Sequence, residues 1–152
     1  MKEFLFDIDV TAKTAPTDYS WQFGIGNDHA YMLHRNDVCE HIKTVHDELG
    51  IKSVRFHGIF DDDMLTLQRF SDFCPAPGAE KIREINFRQI AHVYDNVLAT
   101  GMKPFVELSF MPSALASGDK TGLHYKNNIT MPEDLDEWAE YIKSFVRFLI
   151  GR

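Results

Sequence analysis

The chain has 152 residues, of which 44% are hydrophobic and 26% are charged, and its formal net charge is −7 at pH 7. These values suit one globular domain and exclude a disordered or low-complexity chain. The acidic balance disfavours nucleic acid or an anionic membrane as the partner, because binding a polyanion requires a basic surface. A neutral small molecule, such as a sugar, remains open.

The two cysteines, Cys39 and Cys74, are too few for a disulfide framework, and we interpret both as ordinary thiols. The N-terminal apolar run is interrupted by Asp7 and Asp9, which is unlike a secretory signal. No window approaches the ~20 apolar residues that a membrane span requires. The sequence slightly favours the cytoplasm but leaves the compartment open.

Residues 1–20 predict a strand followed by a linker. Phe4, Phe6, Ile8 and Val10 alternate with other residues, a period of two that is typical of a strand with one buried face. The stretch at 14–18 contains Pro16 and small polar residues, and it reads as a linker.

From Trp21 onwards the sequence predicts alternating strands and helices. Apolar runs predict strands at 21–25, 51–57 and 104–111, and the third reads as a strand buried on both faces. Acidic or capping-type residues followed by apolar stripes of helical period predict helices that start near Asp37, Asn86 and Pro132. The long segments 58–84 and 114–128 read as loops.

The order β-α-β-α-β-α predicts a parallel sheet with right-handed crossovers. Doubly wound and barrel folds both fit this order. The glycine-containing stretch 23–27 lacks the third glycine of a dinucleotide fingerprint and opens no helix, so a dinucleotide site is not expected.

Strand parity sorts the polar residues of the predicted sheet. Val54 and Phe56 point towards a helix layer, which places Arg55 and His57 on the other face. The same parity directs Val106, Leu108 and Phe110 towards the helices, and it directs Phe105, Glu107 and Ser109 inward. Two inward charges on neighbouring strands predict a buried ion pair between Arg55 and Glu107. The alternative is that Glu107 is a catalytic carboxylate.

Two histidines are candidates for ligand binding. His57 lies at the carboxyl end of its strand, where barrel enzymes place their active sites, although a hydrogen-bonded core histidine is the alternative. His29 follows the first strand and is a second candidate. The acidic residues 61–63 read as a solvated loop or a helix cap rather than a metal site, because consecutive carboxylates point in different directions.

Several stretches resemble glycoside hydrolase family 39, the family of β-xylosidases and α-L-iduronidases. They are, in chain order, 24–29 (GIGNDH), 85–87 (INF), 115–118 (LASG) and 128–132 (NITMP). Two longer motifs carry most of the resemblance, namely 54–64 (VRFHGIFDDDM) and 104–112 (PFVELSFMP). The resemblance covers essentially the whole chain and is closer to the bacterial β-xylosidase branch.

The resemblance implies a (β/α)₈ TIM-type barrel of a retaining glycosidase. Residues 1–20 would contribute to an accessory β-sandwich, and residues 21–152 would form the first three βα units. The resemblance assigns His57 to binding sugar hydroxyls, His29 to the lining of the same pocket and Phe110 to the apolar wall at its mouth. It implies a small carbohydrate substrate, most closely a xyloside, and no metal or organic cofactor.

The family's acid/base glutamate belongs to an Asn-Glu-Pro motif after the fourth strand, and its nucleophile follows the seventh. This sequence contains no Asn-Glu-Pro motif, and such a barrel takes about 250 residues. We therefore expect an N-terminal fragment that has no catalytic residue of its own, is inactive alone, and either self-associates or accompanies the rest of its enzyme. The alternatives are a non-catalytic module for carbohydrate binding or assembly, and an unrelated hydrolase that pairs Glu107 with an aspartate of 61–63.

Overall fold

A parallel three-stranded sheet is the centre of the protein. The computed structural model describes residues 3–69, 76–78 and 83–152. The central strands are β1 (Ile25–His29), β2 (Ser53–His57) and β5 (Lys103–Val106), which lie side by side in the order β1-β2-β5. The register sets Ile25 beside Val54 and Arg55 beside Phe105. The parallel order agrees with the sequence prediction.

Three helices follow these strands, namely α1 (Asn36–Leu49), α2 (Arg88–Ala99) and α3 (Leu135–Ile150). Helix α1 ends where Gly50 adopts a left-handed conformation, with φ of 71°, and donates its N–H to the carbonyl of His46. Helix α3 begins after Asp134, whose carboxylate accepts hydrogen bonds from the backbone N–H groups of Asp136 and Glu137. The helix ends therefore follow from local chemistry.

The start of α1 differs from the predicted capping box. Arg35, not Asp37, occupies the N-cap position, and it makes no side-chain cap. Asp37 instead accepts from the Arg35 guanidinium, with 2.6 Å between Oδ2 and Nη2. Asp37 therefore lies within the first turn of α1 rather than at its cap.

The core lies between the sheet and the helices. Val54 and Phe56 of β2 are fully buried, as strand parity predicts. They meet apolar residues of α2 and α3 and of the segment after β2, chiefly Ile59, Phe60, Ile90, Val93, Val97, Tyr141 and Phe145. Phe60 packs edge-on against Phe145, with 5.0 Å between ring centroids, a favourable aromatic geometry.

Two antiparallel ribbons occupy segments that the sequence predicts as loops. Strand β3 (Leu67–Arg69) pairs with β4 (Arg83–Ile85), which begins within 58–84 and ends one residue beyond it. Strands β6 (Thr121–Gly122) and β7 (Asn127–Asn128) pair within 114–128. Both are too short to show a period of two. The interpretation of Cys74 as an ordinary thiol lies outside the described residues, whereas Cys39 is a free thiol.

The strand predicted in the first 20 residues is not formed. Residues 3–19 contain no strand, and Phe4, Phe6, Ile8 and Val10 are 76–89% exposed. A strand needs a neighbour for its N–H and C=O groups, and the described residues offer this segment none. The first strand of the sheet also begins later than predicted, because residues 20–23 form a 3₁₀ helix and β1 starts at Ile25.

The third central strand is shorter and less buried than its apolar sequence predicts. Strand β5 ends at Val106, and Phe105 and Leu108 are 45% and 50% exposed. Val106 packs against the core as predicted, but the opposite face of the sheet has no covering layer among the described residues. The prediction of burial on both faces is therefore wrong for this chain. None of the described helices is long and apolar enough to cross a membrane.

We predict that the isolated chain self-associates. Strands β1 and β5 are the edges of the central sheet, and Phe23 and Phe105 stand on its uncovered face. Free strand edges and apolar patches drive association. Sedimentation velocity at micromolar concentration should show dimers or larger species.

A matched pair of variants tests the cause of this association. Phe105→Lys places a charge on the uncovered face and should weaken association, whereas Leu98→Lys changes an exposed position of α2 and should not. A monomer that unfolds cooperatively at micromolar concentration would contradict the prediction.

Candidate functional site

The carboxyl ends of β1 and β2 bring the predicted site residues together. His29 ends β1 and His57 ends β2, and their ring centroids lie 5.9 Å apart. Phe110, which follows β5, packs edge-on against His57 at 5.7 Å. Residues predicted from three separate segments therefore form one cluster, which we call the strand-end cluster (His29, His57 and Phe110).

The position of Phe110 depends on the early end of β5. Strand parity predicts that Phe110 faces the helices, but the strand stops at Val106 and parity no longer applies beyond it. Ser109, which precedes Phe110, is hydrogen-bonded to the segment that follows β2. Its Oγ accepts the Gly58 N–H at 3.1 Å, and its carbonyl accepts the Phe60 N–H at 2.8 Å. These bonds hold the segment against the end of β2, so that Phe110 faces His57.

The imidazole of His57 is partly exposed and has polar neighbours at Nε2. Its side chain is 22% exposed, and Nε2 lies 3.6 Å from Oδ1 of Asp28. The same nitrogen is hydrogen-bonded to the hydroxyl of Tyr125. A partly exposed imidazole beside an aromatic wall can bind a hydroxylated ligand.

His29 is buried, and both of its ring nitrogens are engaged. Nε2 lies 3.0 Å from Oδ2 of Asp61, and Nδ1 accepts the backbone N–H of Tyr31 at 3.1 Å. Gly58 packs directly on this ring, where a Cβ would lie 2.3 Å from Nε2. These contacts fix the orientation of the His29 ring, which packs against His57.

The charges around His29 act on its pKa in both directions. Burial lowers the pKa of His29, whereas the hydrogen bond to Asp61 and the negative charges of Asp63, Asp61 and Asp28 raise it. The net direction is upward, which means that the carboxylates stabilise a charged imidazole. The Tyr31 N–H stabilises the neutral ring, since it needs Nδ1 as an acceptor.

The acidic residues 61–63 divide into separate roles. Asp61 caps the 3₁₀ helix at 62–64 and is buried, so the predicted cap is confirmed although its carboxylate is not solvated. Asp62 accepts from the Ser113 backbone N–H at 3.0 Å. Ligand atoms of His29, Asp61 and Asp63 lie within 4.8 Å of one another, a spacing that a metal ion could bridge. In this structure His29 and Asp61 are hydrogen-bonded to each other.

The predicted ion pair between Arg55 and Glu107 is present but not buried. Nη2 of Arg55 lies 2.5 Å from Oε1 of Glu107, and the side chains are 60% and 32% exposed. Oε1 is itself enclosed and meets the guanidinium as an ion pair without the geometry of a hydrogen bond. The predicted burial is wrong, because the face of the sheet that carries the pair has no cover among the described residues.

The exposure of this pair sets a small expected cost for breaking it. Glu107→Gln should lower the free energy of unfolding by about 1 kcal/mol or less, since solvent screens exposed pairs. Urea unfolding of the chain checks this value. Glu140→Gln, which removes an exposed pair with Lys143 on α3, is the matched control. A loss near the ~3–5 kcal/mol typical of a broken buried pair would contradict the exposed geometry.

Two residues of the site were missed by the sequence analysis. Asp28 precedes His29 and approaches His57. Tyr125 lies between β6 and β7, and its ring centroid is 4.9 Å from that of His29. A tyrosine in a segment without periodicity gives no sequence signal, because its position depends on how the ribbon folds back over the sheet.

Comparisons of the sequence with known proteins identify one enzyme family. The family model of the glycosyl hydrolases family 39 matches residues 4–152. The chain therefore belongs to this family. It is 42% identical over 132 residues to a beta-xylosidase of Caldicellulosiruptor saccharolyticus, which covers 87% of this chain. It is 32% identical over 133 residues to a beta-xylosidase of Geobacillus stearothermophilus, which covers 88% of this chain.

The solved structures give the same picture of a part of a larger protein. A family 39 beta-xylosidase from Caulobacter crescentus aligns with a TM-score of 0.77 and 34% identity, over 93% of this chain and 30% of that one. The family 39 enzyme from Xanthomonas axonopodis pv. citri aligns with a TM-score of 0.77 and 31% identity, over 91% of this chain and 26% of that one. The chain spans 25% of the length of each of the two curated relatives. It thus corresponds to an N-terminal portion of such an enzyme.

Proposed function

We propose that the chain is the N-terminal, substrate-binding part of a retaining glycoside hydrolase that acts on β-xylosides. The observation that carries this proposal is the strand-end cluster, in which His57 and Phe110 meet at the carboxyl ends of the sheet. Barrel enzymes bind their substrates at that end of the strands. Its 42% identity to a beta-xylosidase supports a xyloside as the substrate class.

The three predicted site residues take different roles in this proposal. His57 binds a sugar hydroxyl through Nδ1, since the Tyr125 hydroxyl occupies Nε2 and the side chain is partly exposed. Phe110 covers the apolar C–H face of the sugar ring, as aromatic side chains do in ligand pockets. His29 is a support, because Asp61 and the Tyr31 N–H engage both of its nitrogens.

The catalytic carboxylates are proposed to lie outside this chain. Retaining hydrolysis needs two carboxyl groups ~5–5.5 Å apart across the scissile bond. Three acidic residues around the cluster have other partners, because Glu107 pairs with Arg55, Asp61 with His29 and Asp62 with Ser113. An unrelated hydrolase that uses Glu107 with one of these aspartates is therefore not favoured.

The proposed domain organisation follows from the same argument. Residues 21–152 would supply the first three βα units of a TIM-type barrel, and later units would cover the face that carries Phe23 and Phe105. Residues 1–20 would pair with strands of an accessory β-sandwich in the complete protein. The exposed apolar side chains at Phe4, Phe6 and Ile8 suit such pairing.

Aryl β-xyloside hydrolysis by the complete protein that contains this segment tests the proposal. We expect turnover, and we expect the reading frame to continue beyond Arg152 through an Asn-Glu-Pro motif. A natural stop after Arg152, together with xylo-oligosaccharide binding without turnover, would instead support a non-catalytic module for carbohydrate binding or assembly.

A further inference from the structure

A tyrosine from the third strand–helix connection lies against the polar edge of His57. The Tyr125 hydroxyl is hydrogen-bonded to Nε2 of His57, and the two rings stack at an interplanar angle of 20° with centroids 5.9 Å apart. The Tyr125 ring also packs edge-on against His29 at 4.9 Å. The ribbon of β6 and β7 thereby reaches across the ends of both β1 and β2.

The other described neighbours of His57 make no hydrogen bond that would fix the rotation of its ring. His29 and Phe110 contact it through ring edges, at 5.9 and 5.7 Å between centroids. The Asp28 carboxylate lies 3.6 Å from Nε2, which is beyond normal hydrogen-bond distance. Among the described residues, Tyr125 is the one that forms a hydrogen bond with the imidazole.

We propose that Tyr125 is a positioning residue, which holds the His57 imidazole in the orientation that receives a sugar hydroxyl. This inference rests on the proposed function, because it assigns a purpose to the orientation of His57. A directed hydrogen bond to a ligand is strongest when the protein group is already aligned, since no freedom is then lost on binding. Tyr125 supplies that alignment through one hydrogen bond and one stacked face.

The protonation of Tyr125 suits this role. Burial raises the pKa of Tyr125, and the negative charges of Asp28, Asp61, Asp63 and Glu107 raise it further. The phenol therefore keeps its proton throughout the neutral range. A protonated phenol can both donate and accept a hydrogen bond, so it pairs with either tautomer of His57.

A double-mutant cycle on kcat/KM tests whether Tyr125 acts through His57. In the complete protein, Tyr125→Phe should lower kcat/KM for an aryl β-xyloside about 2- to 10-fold, the equivalent of one hydrogen bond. In a His57→Ala background the same substitution should cause no further loss. Tyr19→Phe is the matched control, because Tyr19 is half-exposed and its ring contacts Trp21 rather than His57. Equal losses in both backgrounds would overturn the proposal.

The imidazole signals of His57 supply a readout that does not depend on turnover. With ¹⁵N-labelled histidine in the complete protein at a fixed pH, Tyr125→Phe should change the ring-nitrogen shifts of His57, whereas Tyr19→Phe should leave them unchanged. Unchanged His57 shifts in Tyr125→Phe would overturn the inference. If the unsubstituted protein fails to turn over xylosides while these shifts respond, the proposed function fails and the positioning of His57 by Tyr125 stands.

Discussion

The isolated chain should not hydrolyse aryl β-xylosides. Retaining hydrolysis requires a general acid and a nucleophile on opposite sides of the bond. This sequence contains no Asn-Glu-Pro motif, and Glu107 and Asp61 are engaged by Arg55 and His29. Without the covalent chemistry, the rate enhancement of such an enzyme falls by many orders of magnitude. Release of the chromogenic aglycone by pure chain should therefore remain at the background rate.

A positive control and a pair of variants are needed to interpret this assay. The complete protein, assayed alongside, should be active and shows that the assay detects a xylosidase. If the chain alone is active, Glu107→Gln identifies the source, and Glu140→Gln on the exposed face of α3 is the matched control. Turnover that Glu107→Gln abolishes and Glu140→Gln preserves would contradict our assignment and restore Glu107 as a catalytic carboxylate.

Substitution of His57 should have the largest effect of any change within this chain. In the complete protein, His57→Ala should lower kcat/KM by roughly 10- to 1000-fold, through lost hydrogen bonding to the sugar in the transition state. The ring is partly exposed and lies at the end of β2 rather than among the core residues. The melting temperature should therefore change little.

The control for this substitution is another histidine. His41 lies on α1 and is exposed, so His41→Ala should leave both kcat/KM and the melting temperature unchanged. Normal activity in His57→Ala combined with a large fall in melting temperature would show that His57 is a core histidine, which is the alternative that the sequence leaves open.

Local sequence signals were sufficient to predict the elements in which apolar residues recur at a regular spacing. The helices α1, α2 and α3 lie close to their predicted positions, since apolar residues at helical spacing have one arrangement that buries them all. Parity in β2 was also sufficient, because Val54 and Phe56 must face the same side of any sheet. Short apolar runs were ambiguous, and the run at 21–23 formed a 3₁₀ helix instead of a strand.

Burial could not be predicted from the apolar character of a segment alone. The residues at 4–10 and 104–111 both read as strands with buried faces, but burial depends on whether another layer covers them. In this chain Phe6 and Phe105 are exposed, and the Arg55–Glu107 pair meets solvent. Strand parity predicted that Arg55 and Glu107 would pair. The pair is exposed because no layer among the described residues covers that face of the sheet.

The family resemblance predicted that His29 and His57 share a pocket. The sequence by itself determined the helices and the parallel order of the central strands. Those features follow from hydrophobic period and strand direction, which are local properties of the chain. Only the tertiary structure decided that Asp61 engages His29, that Phe110 turns towards His57, and that Tyr125 contacts both histidines. These contacts join residues up to 96 positions apart, from His29 to Tyr125, across segments without a period, so their geometry depends on how the connections fold back over the sheet.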